Sequence, residues 1–67
     1  MKIKVNSNWI ESGNGSRLSE VLEFLALHQK EGIAIAVNDE VIPKRDWNQF
    51  LLSDDDQIVI IEASPGG

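Results

Sequence analysis

The sequence predicts an α+β fold in which one helix packs on one face of a mixed β-sheet. Three observations carry this expectation. Lys2-Ile3-Lys4-Val5 alternates polar and apolar residues with period 2, the pattern of a half-buried strand. Leu18, Val21, Leu22 and Leu25 fall at i, i+3, i+4 and i+7, a single apolar helical stripe. Ile58-Val59-Ile60-Ile61 is apolar on both faces, as a central strand requires. The 67 residues leave room for one domain. A chain this short buries about 60% of its unfolded surface, so its core is small and a deep substrate cleft is not expected.

The remaining elements follow in order. Asn6-Ser7-Asn8 has turn chemistry, because Asn tolerates positive φ, and Trp9-Ile10-Glu11 reads as the return strand of a hairpin. Ser12-Gly13-Asn14-Gly15-Ser16 is a loop. Ser16 is the expected helix N-cap, with Glu20 and Glu23 towards the positive end of the dipole. Glu20, Glu23, Leu27 and Lys30 share the opposite face, which predicts an exposed Leu27, and Gly32 stops the helix somewhere in His28–Glu31. Ile33-Ala34-Ile35-Ala36-Val37 is a strand with large and small residues on alternate faces. Asn38-Asp39-Glu40 turns the chain into Val41-Ile42, which Pro43 limits to a short edge strand. Asp46 caps a brief helical turn carrying Trp47, Phe50 and Leu51, and Ser53 to Asp56 form a second tight turn. One crossover helix then places the first and last strands side by side at the centre. This is the ubiquitin-like β-grasp arrangement, expected over residues 1–63, with a flexible tail at 64–67.

Composition narrows the chemistry. Eleven acidic against six basic side chains give a net charge of −5, which opposes nucleic acid and anionic membrane as partners. With no cysteine and one histidine, disulfides, zinc-thiolate sites, thiol catalysis and histidine-pair mechanisms are excluded. No apolar run approaches the ~20 residues of a membrane span, and Met1 to Val5 alternate instead of building a signal core. A cytoplasmic location is expected.

Most candidate sites read more simply as structure. Three consecutive carboxylates, Asp54-Asp55-Asp56, cannot fill a six-to-eight-oxygen cation shell alone and suit a solvated turn. No paired acid and base is identifiable. His28 is expected in the last helical turn, complementing the dipole. Gly13-Asn14-Gly15 lacks both the Rossmann fingerprint and the Walker lysine. Pro43-Lys44-Arg45 is too small a basic cluster for an anion site. Trp47 is expected in the core, while Trp9 is open between core and interface anchor.

Two features point outward. If Ile33, Ile35 and Val37 pack on the helix, Ala34 and Ala36 face away from it, and so do Val59 and Ile61 if Ile58 and Ile60 point inward. Side by side these four form an exposed apolar patch, a partner-binding candidate, unless the Trp47 turn or the tail covers it. The second feature is Gly66-Gly67. At a glycine background of ~7%, a chance diglycine end has a probability of about 0.5%. Pro65 cannot donate to a ladder and holds Ser64 extended, pushing the tail off the sheet. Two glycines then offer no side chain to obstruct a narrow channel. Pro65, Gly66 and Gly67 are thus the candidates to enter another protein's active site.

With these residues in view, the chain resembles the sulfur carriers of thiamine biosynthesis, the ThiS family, from end to end. The match is carried by Met1-Lys2-Ile3, by Leu18-Ser-Glu-Val-Leu-Glu-Phe-Leu25, by Ala36-Val37-Asn38-Asp39-Glu40-Val41-Ile42-Pro43 with Asp46-Trp47, and by Asp54 to Gly67. The Ala-Val-Asn…Val-Ile-Pro…Trp string with the terminal diglycine is the specific part. The family often has glycine where this chain has Asp39 and Asp55, which leaves only the local turn geometry open.

The resemblance implies that the chain is no enzyme and binds no cofactor or metal itself. A ThiF-like adenylating enzyme would use ATP and Mg to convert the Gly67 carboxylate to an acyl adenylate, giving a poor electrophile AMP as leaving group. Persulfide sulfur, from a donor such as a cysteine desulfurase, would then yield a Gly67 thiocarboxylate for a ThiG-like thiazole synthase. Rival readings are a carrier of the molybdopterin synthase type, a ubiquitin-like protein modifier, and a plain interaction domain.

Overall fold

The computed structural model describes residues 1–13 and 16–62. The elements are β1 (Lys2–Val5), β2 (Asn8–Glu11), α1 (Leu18–Phe24), β3 (Ile33–Val37), β4 (Glu40–Ile42), a 3₁₀ turn (Lys44–Asp46) and β5 (Gln57–Glu62). The five strands form one sheet in the order β2-β1-β5-β3-β4. First and last strands pair in parallel at the centre, and every other pairing is antiparallel. This is the expected β-grasp topology. Residues 64–67, the expected tail, lie outside the described residues.

Both hairpin turns use two residues at positive φ, Asn6 and Ser7 before β2 and Asn38 and Asp39 before β4. Such turns match the twist of the strands they join. Asp39 and Asp55 both have positive φ, the backbone region that favours glycine, so aspartate takes up the turn conformation at each.

One face of the sheet carries the core. Ile3 and Val5 of β1, Ile35 and Val37 of β3, Ile42 of β4 and Ile58 of β5 are buried against Leu18, Val21 and Leu22 of α1. Trp47 and Leu52 close one end, and the indole Nε1 of Trp47 donates to the Ile42 carbonyl at 2.9 Å. The expected core position of Trp47 holds. The turn that carries it starts earlier than expected, after Pro43, and Leu52 points inward while Leu51 is exposed. Asp46 contributes its carbonyl to Gln49 and Phe50 rather than a side-chain cap.

The helix differs from expectation at both ends. Its N-cap is Arg17, and Ser16 instead donates its hydroxyl to the Gly13 carbonyl at 2.6 Å and accepts from the Ser12 hydroxyl at 2.8 Å. A capping serine is unnecessary because the first amides find other acceptors. Leu18 donates to the Phe50 carbonyl at 2.9 Å and Ser19 to that of Trp47 at 3.0 Å. At the other end the helix stops at Phe24, well before His28. Ala26 has φ 60, its amide bonds to the Glu23 carbonyl, and the Leu27 amide reaches back to the Leu22 carbonyl at 2.7 Å. That bond pair is a Schellman motif, with alanine where glycine is usual. Leu27 is the apolar residue that follows such a cap and packs against the core, so it is half-buried rather than exposed. His28 lies beyond the helix and does not complement its dipole. Gly32, with φ 77, opens β3 instead of ending α1.

The strand at the centre is held beyond its backbone partners. The Asn6 side chain accepts from the Ile60 amide at 2.8 Å and donates to the Ile60 carbonyl at 3.2 Å. It stands in for the backbone that β1 withdraws when it turns. Asn38 does the same near the start of β5, accepting from the Gln57 amide at 3.0 Å and donating to Asp56 Oδ1 at 2.9 Å. The acidic run is likewise structural: Asp54 accepts from the Lys2 amide and Asp56 from that of Ser53, both at 2.7 Å.

Two outcomes follow from this geometry. Ala26→Gly relieves a left-handed alanine and should stabilise the fold by about 0.5–1 kcal/mol, read as a higher denaturation midpoint. Asn6→Gly keeps the permissive turn but removes both side-chain bonds. It should cost about 1–2 kcal/mol and speed hydrogen exchange at the Ile60 amide more than at Ile35.

Candidate functional site

With a single helix over one face, the opposite face of the sheet has no covering layer among the described residues. Strand alternation decides what stands there. Ile58 is 1% exposed and points to the helix, whereas Val59 and Ile61 are 42% and 58% exposed and point away. The β3–β5 register pairs Ala34 with Ile61 and Ala36 with Val59. The four patch residues expected from alternation are therefore neighbours on one face, with Ala34 exposed and Ala36 half-buried. The Trp47 turn does not cover them, since Trp47 is part of the core on the helix side.

Val41 belongs to the same surface. It pairs with Ala36 across β3–β4 and is 68% exposed. The signal was present in the sequence, because an inward Ile42 forces its neighbour outward, but using it requires knowing the strand register. Further across the face stand Lys2 and Lys4 of β1, whose ammonium groups lie 5.0 and 5.8 Å from the centroid of the Trp9 ring. Trp9 is half exposed, so it is not a core residue. Its indole face is shielded by two cations, a contact worth about 0.5–1 kcal/mol at such a site.

The patch adjoins the point where β5 ends. Glu62, the last residue of that strand, pairs with Ile33 and its carboxylate lies 2.9 Å from the Lys30 ammonium. Both groups are about half exposed, so the pair fixes orientation more than it adds stability. Asn6 holds Ile60 one residue before Ile61. Neither Asn6 nor Lys30 is singled out by the sequence, because each acts on a strand more than thirty residues away in the chain.

The chain thus has an exposed apolar face of short side chains, an anchored final strand, and five residues beyond it, Ala63 to Gly67. The expected channel-entering residues Pro65, Gly66 and Gly67 lie outside the described residues. No group of three or more His, Cys, Asp or Glu side chains is placed to hold a metal ion among the described residues. Among the described residues no helix is long and apolar enough to cross a membrane.

Comparisons with known proteins bear on the family and the fold. Residues 2–67 match the model of the ThiS family. The sulfur carrier protein ThiS of Escherichia coli is 33% identical over 67 residues, covering all of both chains. In structure, the chain is similar to the crystal structure of the thiamine biosynthesis protein ThiS from Geobacter metallireducens, with a TM-score of 0.82 over all of both chains at 22% identity. It is also similar in fold to SAMP1 from Haloferax volcanii, with a TM-score of 0.65 at 10% identity over 98% of this chain and 97% of that one. From its nearly full-length family match and its full-length match to the Escherichia coli protein, the chain belongs to the ThiS family.

Proposed function

We propose that this chain is a sulfur carrier for thiamine thiazole synthesis, a protein cosubstrate whose reactive group is the Gly67 carboxylate. The observation that carries the reading is a full-length match to a sulfur carrier protein that includes Gly66-Gly67, in a fold whose central strand leads directly to those residues. The chain's own chemistry supplies a carboxylate and little else. A free carboxylate resists acyl substitution, so an activating partner is required. In a ThiF-like enzyme the Gly67 carboxylate oxygen attacks the α-phosphorus of Mg-bound ATP, releasing pyrophosphate and forming the acyl adenylate. The outer sulfur of a persulfide supplied by a cysteine desulfurase attacks the acyl carbon and displaces AMP, giving an acyl disulfide. A second thiol of the donor or activating enzyme then attacks the donor-side sulfur, breaks the S–S bond, forms a disulfide with the donor and leaves the Gly67 thiocarboxylate. A ThiG-like thiazole synthase then takes the sulfur and returns the carboxylate. ATP and Mg stay with the partner, and its need for ATP fits a cytoplasmic setting.

The exposed face has a defined part in this reading. Ala34, Ala36, Val59 and Ile61, extended by Val41, form the surface that the activating enzyme grips. The five residues after Glu62 span at most about 18 Å when extended, so an enzyme seated on Ile61 has the carboxylate within reach of its own site. The glycines pass a narrow entrance without a side chain to exclude them. Binding energy from the patch, remote from the reacting carboxylate, holds it in place for attack.

The test separates surface from chemistry. Ile61→Asp places a charge on an exposed position and should lower the unfolding free energy by no more than about 1 kcal/mol, so the fold is kept. It should weaken binding to the activating enzyme by about tenfold or more. Unchanged affinity removes the patch from the account. Deleting Gly67 should abolish carrier-dependent ATP–pyrophosphate exchange while binding persists, and continued exchange contradicts the proposed reactive group.

A further inference from the structure

On the outer face of the sheet, β1 turns out Lys2 and Lys4, the ordinary composition of a solvated strand. The two lysines differ in what surrounds them. Lys2 stands opposite Glu11 in the β1–β2 register, so a carboxylate shares its side of the ladder. Lys4 stands between Trp9 of β2 and Gln57 of β5 and is half-buried. Among the described residues the ion pairs join the Met1 amine to Glu11 and Lys30 to Glu62, and Lys4 has no such partner. The Trp9 ring, 5.8 Å from its ammonium, restrains the side chain without neutralising it.

Lys4 also borders a groove. β1 ends at Val5 and the chain turns away at Asn6 and Ser7, whereas β5 continues to Glu62. The step between them leaves a groove of about 340 Å³ lined by Lys4, Asn6, Ser7, Gln57, Ile58 and Val59. Lys4 is the one charged residue in that lining. The Ser7 hydroxyl and the Gln57 carboxamide add neutral hydrogen-bond donors. Val59 belongs at once to the groove and to the apolar patch. A cation without a carboxylate therefore adjoins the surface assigned above to the activating enzyme.

We propose that Lys4 and its groove receive an Asp or Glu side chain of the activating enzyme, beside the apolar side chains that this enzyme lays on Ala34, Ala36, Val59 and Ile61. The identity of this partner rests on the sulfur-carrier reading, and its carboxylate is read from the groove. A half-buried ammonium with only neutral polar neighbours is complementary to one carboxylate. Such a pair fixes the register of an apolar contact that would otherwise slide. A second copy of this chain does not supply both halves. The carboxylate that its strands turn to this face is Glu11, on the border strand β2. A copy with Glu11 at Lys4 would be centred on β1 and β2 and would leave the β3–β4 half of the patch bare.

Two measurements test this. In the first, the full-length chain and the ThiF-like enzyme are treated with a zero-length carbodiimide, which couples an amine to a carboxylate where the two touch. Mapped by fragmentation, the product should join Lys4 to an Asp or Glu of the enzyme, and no variant has to fold. In the second, affinity is read at low and high salt. Lys4→Glu should weaken binding about tenfold or more at low salt, a difference that shrinks as salt rises. Lys4→Arg should stay within about twofold of the parent, and so should Lys44→Glu, the same charge change in the 3₁₀ turn. In carrier-dependent ATP–pyrophosphate exchange Lys4→Glu should raise KM and leave kcat, since Lys4 takes no part in the chemistry at Gly67. With exchange by the parent intact, a missing Lys4 crosslink or equal losses for Lys4→Glu and Lys44→Glu overturns the proposal and leaves the carrier reading standing. A crosslink from Lys4 to Glu11 of another copy also overturns it and assigns the groove to a second copy. No carrier-dependent exchange by the parent overturns both.

Discussion

The structure depends on β5 being hydrogen-bonded along both edges. Its parallel partner β1 and antiparallel partner β3 are separated in the chain by β2 and α1, and β5 joins them into one sheet. The Lys4 amide donates to the Asp56 carbonyl at 2.9 Å and the Asn6 amide to that of Ile58 at 3.0 Å. Where these backbone bonds run out, asparagine side chains continue them: Asn6 at Ile60 and Asn38 at Gln57. Each asparagine is also a left-handed turn residue. One residue thus ends a strand and supports its neighbour, an economy that suits a chain with only a small core. The same bonds fix the root of Ala63 to Gly67, the residues on which the proposed chemistry rests.

A single helix sets the second constraint. Seven residues of α1 cover one face of a five-stranded sheet, and nothing among the described residues covers the other. The exposed face is therefore a consequence of fold economy as well as a surface for a partner. Its composition separates these two aspects. A face kept only for solvent would alternate towards charged residues, as β1 does with Lys2 and Lys4, whereas β3, β4 and β5 turn alanine, valine and isoleucine outward. Exposed apolar residues gathered on adjacent strands are the mark of an interaction surface.

The topology was legible in the sequence because its evidence is local. Alternation at Lys2 to Val5 identifies a strand with one covered face and the doubly apolar Ile58 to Ile61 a central strand, and one helical stripe permits one arrangement around them. Side-chain direction on β3 and β5 followed from the same alternation. The helix ends were not legible. Leu25 continues the apolar stripe past the true terminus, and the residue that ends the helix is Ala26, whose left-handed backbone no propensity indicates. Ser16 has the chemistry of a cap, but carbonyls of Trp47 and Phe50 reach the helix first. Trp9 and Val41 required the strand register, which depends on pairings across the chain. Asn6 and Lys30 act across long separations for the same reason.

The central claim is that Gly67 carries sulfur, and the chain's lack of cysteine makes it directly measurable. The protein is incubated with the activating enzyme, ATP and a persulfide source, then treated with a thiol-selective alkylator and mapped by fragmentation. Intact mass alone is ambiguous, because oxidation of Met1 or a tryptophan adds nearly the same mass as exchanging oxygen for sulfur. An ATP-dependent label on Gly67 is the predicted result. No label, from an activating enzyme shown to be competent on another carrier, would contradict the account.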